Sequence, residues 1–207
     1  MTFTAESPRI VLASTSRHRR MLMDRLGVAY AVAAPRCDEL LREDTHPREG
    51  TRELSRRKAQ SVREGYPQSL IVGSDQMAVL DGEILSKPGT PRRAEDQLLR
   101  LAKRTHELWT SVCVLDARTG RGLTHTELWR MTMRPLGREE VRDYVQADEP
   151  LDCTGSYRYE GRGARLFERV EGTDPTAITG LPLLALAGLL GELGVPLTPR
   201  KLDTTMM

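Results

Sequence analysis

Hydrophobic positions change their period several times along the chain. The run "RIVLA" (Arg9–Ala13) is apolar at consecutive positions, as expected of a short buried strand. After "STS", Met21, Leu22 and Leu26 recur at helical spacing, which predicts a helix over about Arg17–Leu26 stopped by Gly27. "AYAVAAP" reads as a second strand, and "CDELLREDTHPREG" as a polar loop. A helical period resumes from Thr51 to Glu64 and ends at Gly65-Tyr66-Pro67. "SLIVGSDQMAVLDGEILSK" predicts a strand, a tight turn at Asp81-Gly82 and a returning strand, because Asp-Gly is a strong hairpin signal. Thr90 and Pro91 open a further helix as N-cap and first residue. Two strands, Glu107–Asp116 and Gly122–Met133, flank Arg118-Thr119-Gly120. A helix over about Arg138–Ala147, a glycine-rich connection "CTGSYRYEGRG" and a last helix over Leu181–Leu193 complete the pattern. Strands mixed with helices in this way predict an α/β or α+β fold with a mixed twisted sheet and flanking helices.

The length suffices for one large domain or two tightly joined halves, read here as a single domain over residues 1–196 followed by a tail over 197–207. The most apolar stretch, Gly180–Leu197, is short for a membrane span and holds Pro182, three internal glycines and Glu192, so it reads as a core helix. The N-terminus has no long apolar segment of the signal-peptide kind. Net charge is +2, from 31 basic and 29 acidic side chains, with two Trp, five Tyr and two Phe. Near-balanced charge, few aromatics and no recognition motif argue against nucleic acid as a partner. Cys37, Cys113 and Cys153 are three in number and widely spaced, which fits neither a disulfide framework nor a zinc site and suits a reducing compartment.

Four places carry candidate chemistry. The first is Ser14-Thr15-Ser16 at the start of a helix, followed by Arg17, Arg19 and Arg20. Free N–H groups and the positive dipole end collect phosphate there, although ordinary serine capping is the commoner use of such residues. The second is Lys58, four residues from Leu54 and from Val62 and therefore on the apolar stripe of its helix. A lysine there either snorkels to the rim, the usual outcome, or points into an anion pocket. The third is Asp75, which alternation puts in register with Ile71, Met77 and Val79, so it should face inward or into a cleft. Gly73 beside it marks a bulge or a close backbone approach, and the hairpin could bring Lys87 near Asp75. The fourth is Glu39, a loop acid that with Asp75 could serve a hard divalent cation such as Mg²⁺, water filling the other positions. No histidine pair has metal-ligand spacing, and neither a P-loop nor a dinucleotide fingerprint is present. Together these residues suggest a phosphate substrate handled with a metal ion.

The segments "LASTSRHRR", Asp38-Glu39, "KAQS" (Lys58–Ser61), "IVGSDQMAVLDGEILSKP" and "GSYRYEGRG…LFERVEGTDP…GLPL" resemble the Maf nucleotide pyrophosphatases, in family order and at family spacing, from about Ile10 to Leu193. The resemblance implies a mixed-sheet α/β fold with two lobes around a deep cleft, related to the inosine triphosphate pyrophosphatases. It implies hydrolysis of a nucleoside triphosphate to the monophosphate plus pyrophosphate, with a divalent metal (Mg²⁺ or Mn²⁺), in the cytoplasm, often as a homodimer. Carried over, Asp75 matches the catalytic acid and, with Glu39, the metal-binding pair. Ser14, Ser16, Arg19, Lys58 and Lys87 match the residues that meet the phosphates.

Three positions mark the family's branches. The dTTP/UTP branch typically has Arg, Thr and Gln there, where this chain has His18, Gln76 and Glu160. Gln76 and Glu160 resemble the branch acting on 7-methyl-GTP. The chemistry agrees, because a carboxylate accepts the N1–H and N2–H of guanine and offsets the charge of a 7-methylated ring. A pyrimidine would leave it poorly paired. Arg17-His18 departs from that branch, which has proline and then an aromatic ring that stacks on the cationic base. His18 stacks only weakly, and Tyr157 or Tyr159 are the rings that could substitute.

Overall fold

A computed structural model describes residues 9–196, so the expected tail 197–207 lies outside the described residues. The apolar run Arg9–Ala13 forms β1, parallel to β2 (Tyr30–Ala33) on one side and to β3 (Ser69–Leu80) on the other. Beyond β3 the sheet continues antiparallel through β5 (Thr105–Asp116), β6 (Gly122–Met133) and β7 (Phe167–Glu171). The short strand β4 (Glu83–Leu85) folds back on the end of β3 through the expected turn, with Asp81 at φ 51° and Gly82 at φ 83°. The result is the mixed α/β fold expected from the sequence, the described residues forming seven strands in one sheet with helices on both faces.

The faces of β3 sort the helices. Ile71, Met77 and Val79 point toward α2 (Pro47–Gln60) and pack on Leu54, Ala59 and Val62. Leu70 and Val72 point the other way, into a core with Leu22 and Met23 of α1 (Arg17–Asp24) and Leu186 and Leu190 of α5 (Leu183–Glu192). Ala78 and Leu80 enter a third cluster, with Leu98 of α3 (Pro91–Leu101) and Val141 and Tyr144 of α4 (Arg138–Asp148). The apolar stretch read as a core helix is α5, and among the described residues no helix is long and apolar enough to cross a membrane.

Two elements differ from the sequence reading. α2 starts at Pro47, not Thr51, because His46 serves as its cap, Nδ1 accepting from the Arg48 N–H at 3.2 Å. Histidine is not among the usual capping residues, so the polar run concealed the start. In the sequence, the β7 segment reads only as part of a motif. It is a charged edge strand, Glu168, Arg169 and Glu171 giving it the polarity by which sheet edges avoid further pairing.

One feature of the topology places the candidate site. β1 pairs with β3 only as far as Gly73, and β4 rejoins the same edge at Ala78. Among the described residues, Ser74–Met77 therefore has β5 on one side and no strand on the other. Open α/β sheets bind ligands at such interruptions, outside the carboxyl ends of parallel strands.

Candidate functional site

Asp75 lies in that interrupted stretch, on the α2 side of β3, as alternation required. α2 is held very near the strand. A Cβ on Gly73 would fall 2.1 Å from the Ser55 carbonyl oxygen, so glycine is needed for close approach, one of the two expected alternatives. The contact brings Lys58 over Asp75. Lys58 does not snorkel. It is 7% exposed, and its Nζ donates to Asp75 Oδ1 at 2.5 Å. The same Nζ lies 3.2 Å from Glu39 Oε1, so one ammonium joins the two acids that the sequence put forward as a metal pair. Glu39 itself is exposed, on the segment between β2 and α2.

Arg19 completes the charge cluster. Its Nε donates to the Gly180 carbonyl at 2.9 Å, and the Ser74 hydroxyl donates to the same oxygen at 2.8 Å. Burial pushes the Arg19 guanidinium below its ordinary value, opposed by Asp75 and Glu39 nearby; an arginine remains a cation despite such a shift. Asp75 is pushed above the ordinary carboxylate range, chiefly by burial, with Lys58 and then Arg19 pulling it down. Ser14 and Ser16 shape the end of β1. Ser14 Oγ accepts from the Ser16 N–H at 3.1 Å, and Ser16 Oγ caps α1 by accepting from the Arg19 N–H at 3.4 Å.

The three branch positions separate into two places. His18 and Glu160, far apart in sequence, meet with Nδ1 and Oε1 2.6 Å apart. The approach is off the line of a well-directed hydrogen bond, so it is a close polar contact and not an aligned one. His18 Nε2 accepts from Arg17 Nε at 3.3 Å, which leaves the ring proton on the nitrogen facing Glu160. Burial is the largest single influence on the Glu160 carboxyl and raises it, but His18, the residue's own backbone N–H and Arg158 together turn the net direction down. Gln76 points to the other face of β3 from Asp75. Its amide donates to the Ala177 and Ile178 carbonyls at 2.8 and 3.1 Å and to Thr110 Oγ1 at 2.9 Å, which anchors the 175–180 turn.

Lys87 is not brought into contact with Asp75. It lies two residues past Leu85, whose register partner is Ala78, and its side chain is exposed. Tyr157 is not free to stack on a base, because it is 5% exposed, meets His106 Nε2 through its hydroxyl at 2.9 Å and packs edge-on to Phe167. Tyr159 also leans on Phe167. Asp174 does not stand out as a separate residue in the sequence, although it lies in the motif segment "EGTDP". Fully buried, it accepts from the Thr176 N–H and hydroxyl and from the Leu184 N–H, and so fixes the turn that carries Gly180. Its signal was the Asp-Pro pair ahead of an apolar helix.

The arrangement is a buried acid surrounded by cations, beside a helix N-terminus and an exposed second acid. A model of the Maf-like protein family matches residues 9–193. The chain belongs to this family. Maf-like proteins are in general nucleotide pyrophosphatases, hydrolases that typically use a divalent metal. No cluster of three or more His, Cys, Asp or Glu that could hold a metal occurs among the described residues. The Maf-like centre offers two carboxylates instead, Asp75 and Glu39. That donor set fits Mg²⁺ or Mn²⁺, hard cations commonly held by one or two carboxylates, water and the substrate's own phosphates. An open hollow of about 480 Å³ is lined by acids of α4, and another of about 580 Å³ lies between the outer side of α2 and the 40–45 segment next to Glu39.

Proposed function

We propose that the protein hydrolyses 7-methyl-GTP to 7-methyl-GMP and diphosphate, clearing a modified nucleotide from the cytoplasmic pool. The observation that carries the reaction type is the buried Asp75 carboxylate with Lys58 at 2.5 Å and Arg19 within electrostatic reach. A binder of polyanions has no use for a buried acid opposite its ligand, whereas a hydrolase needs one. In this reading the triphosphate lies along the α1 N-terminus, met by Ser14, Ser16 and Arg19. Asp75 takes a proton from the water whose oxygen bonds to the α-phosphorus. The bond from that phosphorus to the bridging oxygen breaks, and the electron pair leaves with pyrophosphate. Lys58 and Arg19 neutralise charge as it develops, and Lys87 reaches the leaving phosphates from the loop after β4. Asp75 and Glu39 are the residues that would hold a divalent metal, which when bound would supply charge neutralisation at the phosphates and a more acidic water.

The base reading rests on Glu160. Its lowered value favours the carboxylate that guanine N1–H and N2–H would require. Gln76 would act on the base through the turn it anchors. The contact between His18 and Glu160 favours a second reading within the same reaction, a neutral modified base or a pyrimidine, because an acid already paired has less need of a cationic ring. Three unpaired cysteines suit the cytoplasm, and a homodimer is the assembly we expect.

Pyrophosphate release with Mg²⁺ or Mn²⁺ tests both levels, across 7-methyl-GTP, GTP, dTTP, UTP and CTP, beside Asp75→Asn. Preference for 7-methyl-GTP, lost in the variant, is the expected result. Turnover of dTTP or UTP keeps Asp75 and overturns the base assignment. Binding without turnover of any nucleotide would make the protein a non-catalytic regulator.

A further inference from the structure

Glu39 poses a positional problem. It sits outside any helix or strand and is 61% exposed, yet its carboxylate reaches the buried Lys58 at 3.2 Å. Exposed irregular backbone does not by itself hold a side chain at a charge centre. Something must fix the segment, and α2 supplies it. Arg57, next to Lys58 in sequence, projects to a different side of the helix. Its Nη1 donates to the carbonyls on either side of Glu39, Leu40 at 2.8 Å and Asp38 at 3.3 Å. Its Nε donates to Glu53 Oε1 at 2.9 Å, one turn back, and Arg56 steadies the other Glu53 oxygen at 3.0 Å. The segment is also curled on itself, the Leu40 N–H donating to Asp38 Oδ1 at 2.8 Å, and pinned upstream by the Arg36 N–H on Ser61 Oγ at 3.2 Å. From the sequence Arg57 reads as solvated charge.

We propose that Arg57 is a positioning residue: braced by Glu53, it latches the Asp38–Leu40 segment to α2 and so sets Glu39 at the Lys58–Asp75 centre for a divalent cation. The inference rests on the pyrophosphatase reading for the identity of that cation's role, but the latch is a separate property of the chain. The planar guanidinium is what the geometry uses, since one fork meets two backbone carbonyls and a carboxylate at once. Lysine keeps the charge and loses the fork, so Arg57→Lys separates geometry from electrostatics.

The experiment is Mn²⁺ binding, followed by the electron paramagnetic resonance signal of the free ion, in the full chain without nucleotide. Arg57→Ala is expected to raise the Mn²⁺ Kd about tenfold, the size usual for residues that orient a metal ligand. Arg57→Lys should give most of that loss. Glu39→Gln should weaken binding on its own, and adding Arg57→Ala to it should cost nothing more, because the arginine acts through Glu39. A second readout is independent of metal. Cys37 is half-buried two residues before Glu39, and in a Cys153→Ser background its reaction with a thiol reagent should quicken several-fold in Arg57→Ala while buried Cys113 stays silent. Unchanged Mn²⁺ affinity, or losses from Arg57→Ala and Glu39→Gln that simply add, would overturn the proposal. Should Arg57→Ala fold poorly, Arg57→Lys carries the same comparisons. If the wild-type chain binds no Mn²⁺, the metal-dependent reading fails, and the Cys37 rate alone decides the latch: a quickened rate keeps it and an unchanged one removes it.

Discussion

Burial and charge pull the Asp75 carboxyl in opposite directions. Removal from water raises it, Lys58 and Arg19 lower it, and burial wins. A base held above the ordinary carboxylate range loses activity as pH falls through that raised value, so the acid limb of kcat should lie above about 4. Lys58→Gln removes the largest opposing influence. Its residual activity should show the limb moved to still higher pH, and a limb that stays or moves down would remove Asp75 from the role of base. His106 is the opposite case. Buried between β6 and Tyr157, its imidazole is pushed down to about 4, weakly opposed by the Met131 backbone. The unfolded chain therefore binds a proton near pH 6.5 that the native chain refuses until about 4. Stability should fall as pH drops across that window, by about 3 kcal/mol in total from this residue. His106→Gln, which keeps a partner for the Tyr157 hydroxyl, should flatten the urea-midpoint curve there.

At the scale of elements, the close packing of α2 on β3 decides where Lys58 goes. Gly73→Ala would drive a methyl to within 2.1 Å of the Ser55 carbonyl, and backbone at a packed interface has little room to yield. Overpacking of this severity should cost about 3 kcal/mol in urea unfolding and lift Lys58 off Asp75, so activity should fall more than tenfold even in the folded fraction. Much of this element was legible. Alternation along Ile71–Val79 gave the facing of Asp75, helical spacing put Lys58 on the buried stripe, and a glycine between them implied proximity. What alternation does not carry is a third dimension. Snorkelling and burial of Lys58 share one periodicity, and only the height of α2 above the strand separates them. The distance from Lys87 to Asp75 was hidden for a similar reason: the hairpin is present, but its pairing ends at Leu85, and a chain past its last ladder bond no longer inherits a register. Contacts such as His18 with Glu160, or Arg57 with the Asp38 and Leu40 carbonyls, join segments whose spacing in sequence says nothing of their meeting.

For the whole molecule, the question is whether the interruption along β3 divides it. The clusters on α1 and α5, on α2, and on α3 and α4 are distinct, and the site lies where they adjoin. Yet β3 and β5 run unbroken past all of them, paired from Leu70 with Asp116 to Val79 with Glu107. The 175–180 turn ties the clusters again, since Ile178 belongs to one and Leu181 to another, with Asp174 capping between them. Separating the clusters would expose the buried residues of β3 and β5, which both ends of the sheet share. Residues 9–196 should therefore unfold as one cooperative unit. Trp109 and Trp129 report locally on β5 and β6, while far-UV circular dichroism reports on every helix. Their urea transitions should coincide in midpoint and slope. A tryptophan transition that precedes or trails the helical one would mean two units meeting at Asp75, and the site would then be a hinge between them and not a fixed interruption within one sheet.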